Sequence, residues 1–175
     1  FRRVLFRSEN PDGRGFVEAM LAQADPTGQR VLLFGAGGAA RAIAVETALA
    51  GAAHITVVNR DAGRGRELAD LVNARTPASA EYRPWDGDID VPEGTGIVIN
   101  ATSIGFYPDV DARLALNVDT LRPGMVVADV ITNPPTTRLI RDARERGCIA
   151  IDGLGMLVNQ ALVAVQLWTG RSVDG

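Results

Sequence analysis

Glycines with a characteristic spacing lie in the stretch GAGGAARA, residues 35–42. Gly35 and Gly37 are followed by Ala40 in the place of a third glycine, directly after the apolar run RVLLF at 30–34. Between a strand and a helix, the first glycine allows a tight turn, the second lets a pyrophosphate approach the backbone, and a small third residue allows close packing. The free amides and the dipole at the start of the helix then favour a phosphate. The pattern therefore predicts a dinucleotide-binding loop at Gly35, Ala36, Gly37, Gly38 and Ala39, and a glycine turn without a ligand is the alternative.

The residues that follow a second apolar run, HITVVN at 54–59, bear on which dinucleotide this loop would bind. NAD-binding domains usually have Asp or Glu at this point to bind the ribose hydroxyls. Here Asn59 is followed by Arg60, and Arg64 lies a turn later. Arginine can pair with a 2′-phosphate through two hydrogen bonds and can stack on adenine, which favours NADP over NAD. Asp61 argues in the other direction because its carboxylate would repel the phosphate, and a solvated helix start is the alternative for both arginines.

Composition excludes several classes of function. The net charge of −3 gives no electrostatic reason to expect binding to nucleic acid or to an anionic membrane, and no apolar run approaches the length of a membrane span. One cysteine, Cys148, cannot form an intrachain disulfide and suits a reducing cytoplasm, and no cluster of ligating residues predicts a metal site. All 18 basic residues are arginine, so this chain alone cannot complete a mechanism that needs a lysine.

Apolar runs that alternate with helical patterns predict the fold class α/β, a Rossmann-like, doubly wound, mostly parallel sheet in a single domain. Asp12 is suited to be the N-cap of the first helix. The predicted strands lie at 30–34, 54–59, near 80–83, 97–102, 124–131 and 148–152, and the predicted helices at about 13–24, 38–50, 62–75, 135–147 and 153–169.

Several stretches together resemble the shikimate dehydrogenase family. They are ENPDGRGF at 9–16, GAGGAARA at 35–42, NATSIGF at 100–106, DGLGMLVNQA at 152–161 and, more loosely, DVITNPPTTRL at 129–139. The resemblance implies reduction of 3-dehydroshikimate to shikimate with NADPH, a step of aromatic amino-acid biosynthesis. It also implies an N-terminal substrate domain and a C-terminal nucleotide domain that are joined by helices.

On this resemblance, residues 9–175 correspond to the nucleotide domain with one linking helix. The substrate domain, which carries the family's catalytic lysine, is expected to be absent, in agreement with the lack of lysine. FRRVLFRS at 1–8 matches neither its neighbours nor a helix face and resembles a translated sequencing adapter. We therefore interpret it as a non-native segment, with a genuine N-terminal strand as the alternative.

The resemblance also assigns site residues. Asp12 matches the catalytic aspartate, which binds substrate hydroxyls beside the lysine, and Gln160 matches a glutamine that contacts substrate from the last helix. Thr132 stands where the family usually has a substrate-contacting tyrosine, and Pro11 stands where threonine is usual, so quinate or a related acid is an alternative substrate.

Gly153 and Met156 match residues that line the nicotinamide end of the cofactor, and Val130 is expected against the nicotinamide ring. Thr102 and Ser103 follow a strand at its carboxyl edge and are expected to face the cofactor. A polar turn from Asn100 through Ser103 and a core position for Val130 are the alternatives.

The sequence thus predicts the NADP-binding part of a shikimate dehydrogenase-like oxidoreductase, inactive without the rest of its site. Hydride would pass between NADPH and a small-molecule substrate, 3-dehydroshikimate, to give shikimate. A quinate/shikimate dehydrogenase and a non-catalytic nucleotide-binding module are the alternatives. Whether the protein forms a homodimer stays open.

Overall fold

The structure is a computed structural model that describes residues 11–169. The segment 1–8, which we interpret as non-native, lies outside the described residues. Six strands form one sheet in the order β3-β2-β1-β4-β5-β6, and each described pair of neighbours is parallel. The strands are β1 Arg30–Phe34, β2 His54–Asn59, β3 Ser79–Pro84, β4 Thr95–Asn100, β5 Val126–Asp129 and β6 Ile149–Ile151. The helices are α1 Pro11–Leu21, α2 Gly38–Leu49, α3 Ala62–Arg75, α4 Arg138–Glu145 and α5 Gly153–Thr169, with a short 3-10 helix at Val118–Thr120. The predicted doubly wound α/β fold is confirmed.

The sheet is buried on both faces, which explains its continuous apolar runs. Side chains alternate along a strand: Leu33 and Ile97 belong to the core beneath α1, α2 and α5, whereas Leu32 and Phe34 belong to the core on the opposite face. The chain winds outward from β1 to β3 and then returns to place β4 beside β1. This reversal creates a crevice at the carboxyl ends of β1 and β4, where open α/β sheets bind ligands. No helix within residues 11–169 is long and apolar enough to cross a membrane.

Some predicted boundaries differ from the structure. Helix α1 begins at Pro11 and ends at Leu21, so Asp12 lies in its first turn and not at its N-cap. Proline fits the first turn of a helix because its missing amide has no intrahelical partner there. Helix α4 begins only at Arg138, because Thr137 caps it by accepting a hydrogen bond from the amide of Ile140 at 3.3 Å.

Candidate active site

The glycine loop turns tightly behind the crevice. Gly35 has φ of +108°, which side chains rarely tolerate, and a Cβ there would lie 2.7 Å from the carbonyl oxygen of Ala101. Its amide donates to the carbonyl of Val58 at 2.9 Å. The first glycine is therefore required by its positive φ and by the close approach of the loop that follows β4.

The start of α2 faces open space. A Cβ on Gly37 or Gly38 would meet no atom within 4 Å, and the N-cap Gly37 offers no side chain to the first amides of the helix. Ala40 is fully buried, whereas Ala36 and Ala39 pack against the core only in part. A helix N-terminus with room in front of it and no capping side chain fits a phosphate group.

The turn after β2 is held by its own polar groups. Asn59 Nδ2 donates to the carbonyl oxygen of Asp61 at 2.8 Å, and Asp61 Oδ1 accepts from the amide of Arg64 at 3.0 Å as the N-cap of α3. The Asp61 carboxylate, whose charge disfavours a 2′-phosphate in the sequence-based prediction, thus serves as the N-cap of α3. Arg60 and Arg64 are exposed beside it, with the guanidinium of Arg60 over the ring of Trp85.

A buried polar network, which sequence analysis missed, joins the ends of β4 and β5. Asn100, Asp129 and Thr137 are at most 2% exposed. Asn100 Nδ2 and the amide of Ile131 donate to Asp129 Oδ1 at 3.1 and 3.0 Å, and Thr137 Oγ1 donates to Asp129 Oδ2 at 2.7 Å. Burial raises the pKa of Asp129, and the hydrogen bonds from Thr137, Ile131 and Asn100 oppose that rise. The sequence signal that could have indicated this network is Asp129 itself, a carboxylate directly after the apolar residues of a buried strand.

The loop after β4 is built on the same network. Thr102 donates its hydroxyl and its amide to Asn100 Oδ1 at 2.7 and 3.1 Å, and it accepts from the amide of Ile104 at 3.1 Å. A polar turn is therefore present here, and Ser103 is exposed on it. The cofactor contacts expected of Thr102 and Ser103 stay predictions.

Helices α1 and α5 bring together the two predicted substrate residues with the greatest sequence separation. Gln160 Nε2 donates to Asp12 Oδ1 across 148 residues. The helices approach closely because Gly15 has no side chain: a Cβ there would lie 2.5 Å from the amide nitrogen of Gln160. Thr132 lies half-buried in the loop between β5 and α4.

The residues predicted at the nicotinamide end surround the start of α5. A Cβ on Gly153 would lie 2.4 Å from the carbonyl oxygen of Ile131, so α5 begins directly against the loop after β5. In that loop the amide of Val130 donates to the carbonyl of Asn100 at 3.1 Å. Met156 is buried in the core on which Val130 packs. Within residues 11–169 no three potential metal-ligating side chains come together.

Comparisons with known proteins show which proteins this chain is similar to. Residues 153–174 match the family model described as the shikimate 5′-dehydrogenase C-terminal domain. The shikimate dehydrogenase (NADP(+)) of Moorella thermoacetica is 42% identical over 165 residues, which cover 93% of this chain and 56% of that protein. The resemblance to the shikimate dehydrogenases is confirmed. The chain spans less than two thirds of the length of this relative and of other curated shikimate dehydrogenases.

Solved structures extend the comparison. Shikimate 5-dehydrogenase from Listeria monocytogenes, in complex with shikimate and NAD, superposes with a TM-score of 0.85 at 30% identity and covers 94% of this chain and 59% of that chain. The ligand-free 5-ketofructose reductase of Gluconobacter sp. strain CHM43 superposes with a TM-score of 0.90 at 52% identity, with the same coverage. Proteins that share this fold with shikimate dehydrogenases therefore include one named for a ketose.

Proposed function

We propose that the chain is the NADP(H)-binding part of an oxidoreductase that transfers hydride between the cofactor and a polyhydroxylated carbonyl compound. The open N-terminus of α2 behind Gly35 is the observation that carries this proposal, because it offers unpaired amides to a pyrophosphate at the crevice of the sheet. Arg60 and Arg64 would bind the 2′-phosphate, in keeping with relatives named for NADP(+). Since Asp61 caps α3, its carboxylate opposes that phosphate less than the sequence indicates.

Bound NADPH would supply the hydride, which adds to the carbonyl carbon of the substrate while a proton reaches the oxygen, giving an alcohol and NADP⁺. The cofactor would lie against Thr102 and Ser103, with its nicotinamide end against Val130, Gly153 and Met156. Asp12 and Gln160, already joined by a hydrogen bond, would bind substrate hydroxyls, and Asp12 would take part in the proton transfer. The lysine that the resemblance implies is not among these 175 residues.

Helices α1 and α5 are proposed to link this part to a substrate domain. Leu154, Leu157 and Val158 lie on α5 near Gln160 and are 42%, 48% and 58% exposed. Neighbouring apolar side chains of this kind usually mark a surface that packs against another domain or chain. The relatives are long enough to contain such a domain, because this chain matches only 56% of the Moorella protein and 59% of the Listeria chain.

Three alternative substrates are proposed. The first is 3-dehydroshikimate, reduced to shikimate, as the curated relatives' names indicate. The second is 5-ketofructose, which the 52% identity to the Gluconobacter reductase favours. The residues that depart from the shikimate dehydrogenase pattern, Pro11 and Thr132, give a reason why the substrate could differ. A quinate dehydrogenase activity is the third alternative.

The test has two parts. Calorimetric titration of the chain with NADPH should give binding, and absence of binding would contradict the nucleotide role. The full-length product of the same gene is then assayed for NADPH oxidation with 3-dehydroshikimate and with 5-ketofructose, and for NADP⁺ reduction with quinate. Turnover of one compound identifies the substrate. Binding of NADPH without turnover of any of them would favour a non-catalytic nucleotide-binding module.

A further inference from the structure

Arg60 differs from the other arginine that lines the same small cavity. The cavity, of about 200 Å³, lies beside the end of β2 and is lined by Arg60, Trp85, Gly87, Ile104, Arg113 and Ala115. Arg113 is paired with both carboxylate oxygens of Asp88, at 2.8 and 2.9 Å. Arg60 has no carboxylate partner among residues 11–169. Of the two arginines that line this cavity, Arg60 is therefore the one whose charge is available to an anion.

The aromatic face of Trp85 supports this free guanidinium. The Cζ atom of Arg60 lies 5.6 Å from the ring centroid, within the range of a cation–π interaction. The parallel register explains the contact between these two side chains. Asn59 and Pro84 are the last pair of β2 and β3, so Arg60 and Trp85, which follow them, leave the sheet side by side. An exposed arginine otherwise samples many rotamers, and ordering them opposes binding.

Trp85 is itself fixed in place. Its Nε1–H donates to the carbonyl oxygen of Ala115 at 3.3 Å, and its ring packs edge-to-face on Phe34 at 5.2 Å with an interplanar angle of 63°. Phe34 is fully buried and directly precedes Gly35. The ring that supports Arg60 is thus anchored to the strand that leads into the glycine loop.

We propose that Trp85 is a positioning residue that holds Arg60 ready for the 2′-phosphate and thereby sets the preference for NADPH over NADH. The inference rests on the proposed function. The two cofactors differ only in that phosphate, so an effect exerted through Arg60 changes the ratio of their affinities. Loss of packing around Trp85 weakens both affinities by the same factor.

The experiment measures the dissociation constants of NADPH and NADH by calorimetry for the wild-type chain and three variants. Trp85→Leu should lower the preference for NADPH about two- to five-fold, the range of an exposed cation–π interaction. Trp85→Phe keeps an aromatic face and should retain most of the preference. Arg66→Gln is the matched control, because Arg66 lies at the same 5.6 Å from an aromatic ring, that of Tyr82. It should leave the preference unchanged.

Two outcomes with folded variants would overturn the inference. Equal weakening of both cofactors by Trp85→Leu would assign Trp85 to packing alone, and a Phe variant as impaired as the Leu variant would exclude the aromatic face. If circular dichroism shows that Trp85→Leu does not fold, Trp85→Met takes its place. A wild-type chain that binds neither cofactor would refute the proposed function. One that binds both equally would refute the proposed NADP preference, and the inference would fail with either.

Discussion

The glycine loop and the α1–α5 pair are two parts of one proposed site, but they are constructed differently. In the glycine loop, the conformation and packing that a dinucleotide-binding turn needs come from consecutive residues. Gly35 supplies the positive φ of the turn, and the small Ala40 is buried where α2 packs on the sheet. In the helix pair, residues 148 apart are joined by the bond from Gln160 to Asp12. The loop is packed against the sheet, whereas α5 leaves apolar side chains exposed. The cofactor side thus depends on residues that are consecutive in the sequence, whereas the substrate side depends on a long-range contact between two helices.

Because Gly35 is the tightly packed residue of the glycine loop, Gly35→Ala should have the largest effect. The new Cβ would be forced into a positive φ and against the backbone of Ala101. We expect a loss of about 3 kcal/mol in the free energy of unfolding, measured in urea, together with loss of NADPH binding.

Gly37→Ala is the matched control, because its Cβ enters open space. It should weaken NADPH binding and leave the free energy of unfolding nearly unchanged. Equal destabilisation by the two substitutions would show that Gly37 does not face open space, and unchanged NADPH binding in Gly37→Ala would show that this space is not a ligand site.

The network between β4 and β5 lies between the two regions, and Asp129→Ala tests whether it supports the cofactor side. The substitution leaves the amide of Ile131 and the hydroxyl of Thr137 without their acceptor. We expect a loss of about 2 kcal/mol in chemical denaturation and weaker NADPH binding, because the loops after both strands lose their connection. Asp129→Asn keeps one acceptor oxygen and should lose less. Unchanged NADPH binding in the Ala variant would show that the network does not support the cofactor site.

Gln160→Leu tests whether the glycine loop and the α1–α5 pair act independently of each other. The variant removes the bond to Asp12 and should lower the free energy of unfolding by about 1 kcal/mol. NADPH binding should change little, because Gln160 contacts Asp12 and, within residues 11–169, makes no hydrogen bond to the glycine loop. A large loss of NADPH affinity would show that the two regions are coupled.

A smaller effect is the pH dependence of the stability difference between wild type and Asp129→Asn. The pKa of Asp129 is raised above its ordinary 3.8, so the folded state holds this proton more tightly than the unfolded state. The resulting stabilisation of the wild type is complete below pH 3.8 and is lost as the pH rises through the raised pKa. Denaturation of both proteins at several pH values should show the wild type losing stability relative to the variant as the pH rises. The opposite slope would mean that the hydrogen bonds outweigh desolvation.

The smallest effect is expected on the open face of α5. Val158 is 58% exposed, and Val158→Ser should change the free energy of unfolding by less than about 0.5 kcal/mol. Val163, on the same helix and 2% exposed, is the control, and Val163→Ser should be clearly destabilising. Similar losses at both positions would show that the face is already covered in solution.

The sequence predicted every strand and every long helix of the described chain, because strands buried on both faces leave continuous apolar runs and glycines mark the turns. The edge strand β3 was the weakest signal, since its residues alternate between exposed and half-buried positions. The start of α1 was placed wrongly because Asp12 and Pro11 are both favoured near a helix start, and the structure has the proline inside the helix.

Site residues could be predicted where the requirement is local. Gly35 and Gly37 stand in a recognisable order, whereas Asp129 acquires its role from the β4–β5 register that places it opposite Asn100. Trp85 likewise meets Arg60 only through the register of β2 and β3. Such pairings depend on which strands become neighbours, and a single sequence does not specify that.

Gly153 also fixes how two parts of the proposed site meet. A Cβ at this position would lie 2.4 Å from the carbonyl oxygen of Ile131 and 2.7 Å from that of Val130. Any side chain here would push the start of α5 away from the loop after β5. Because α5 also carries Gln160, such a substitution would displace the proposed substrate contact and the proposed nicotinamide contacts together.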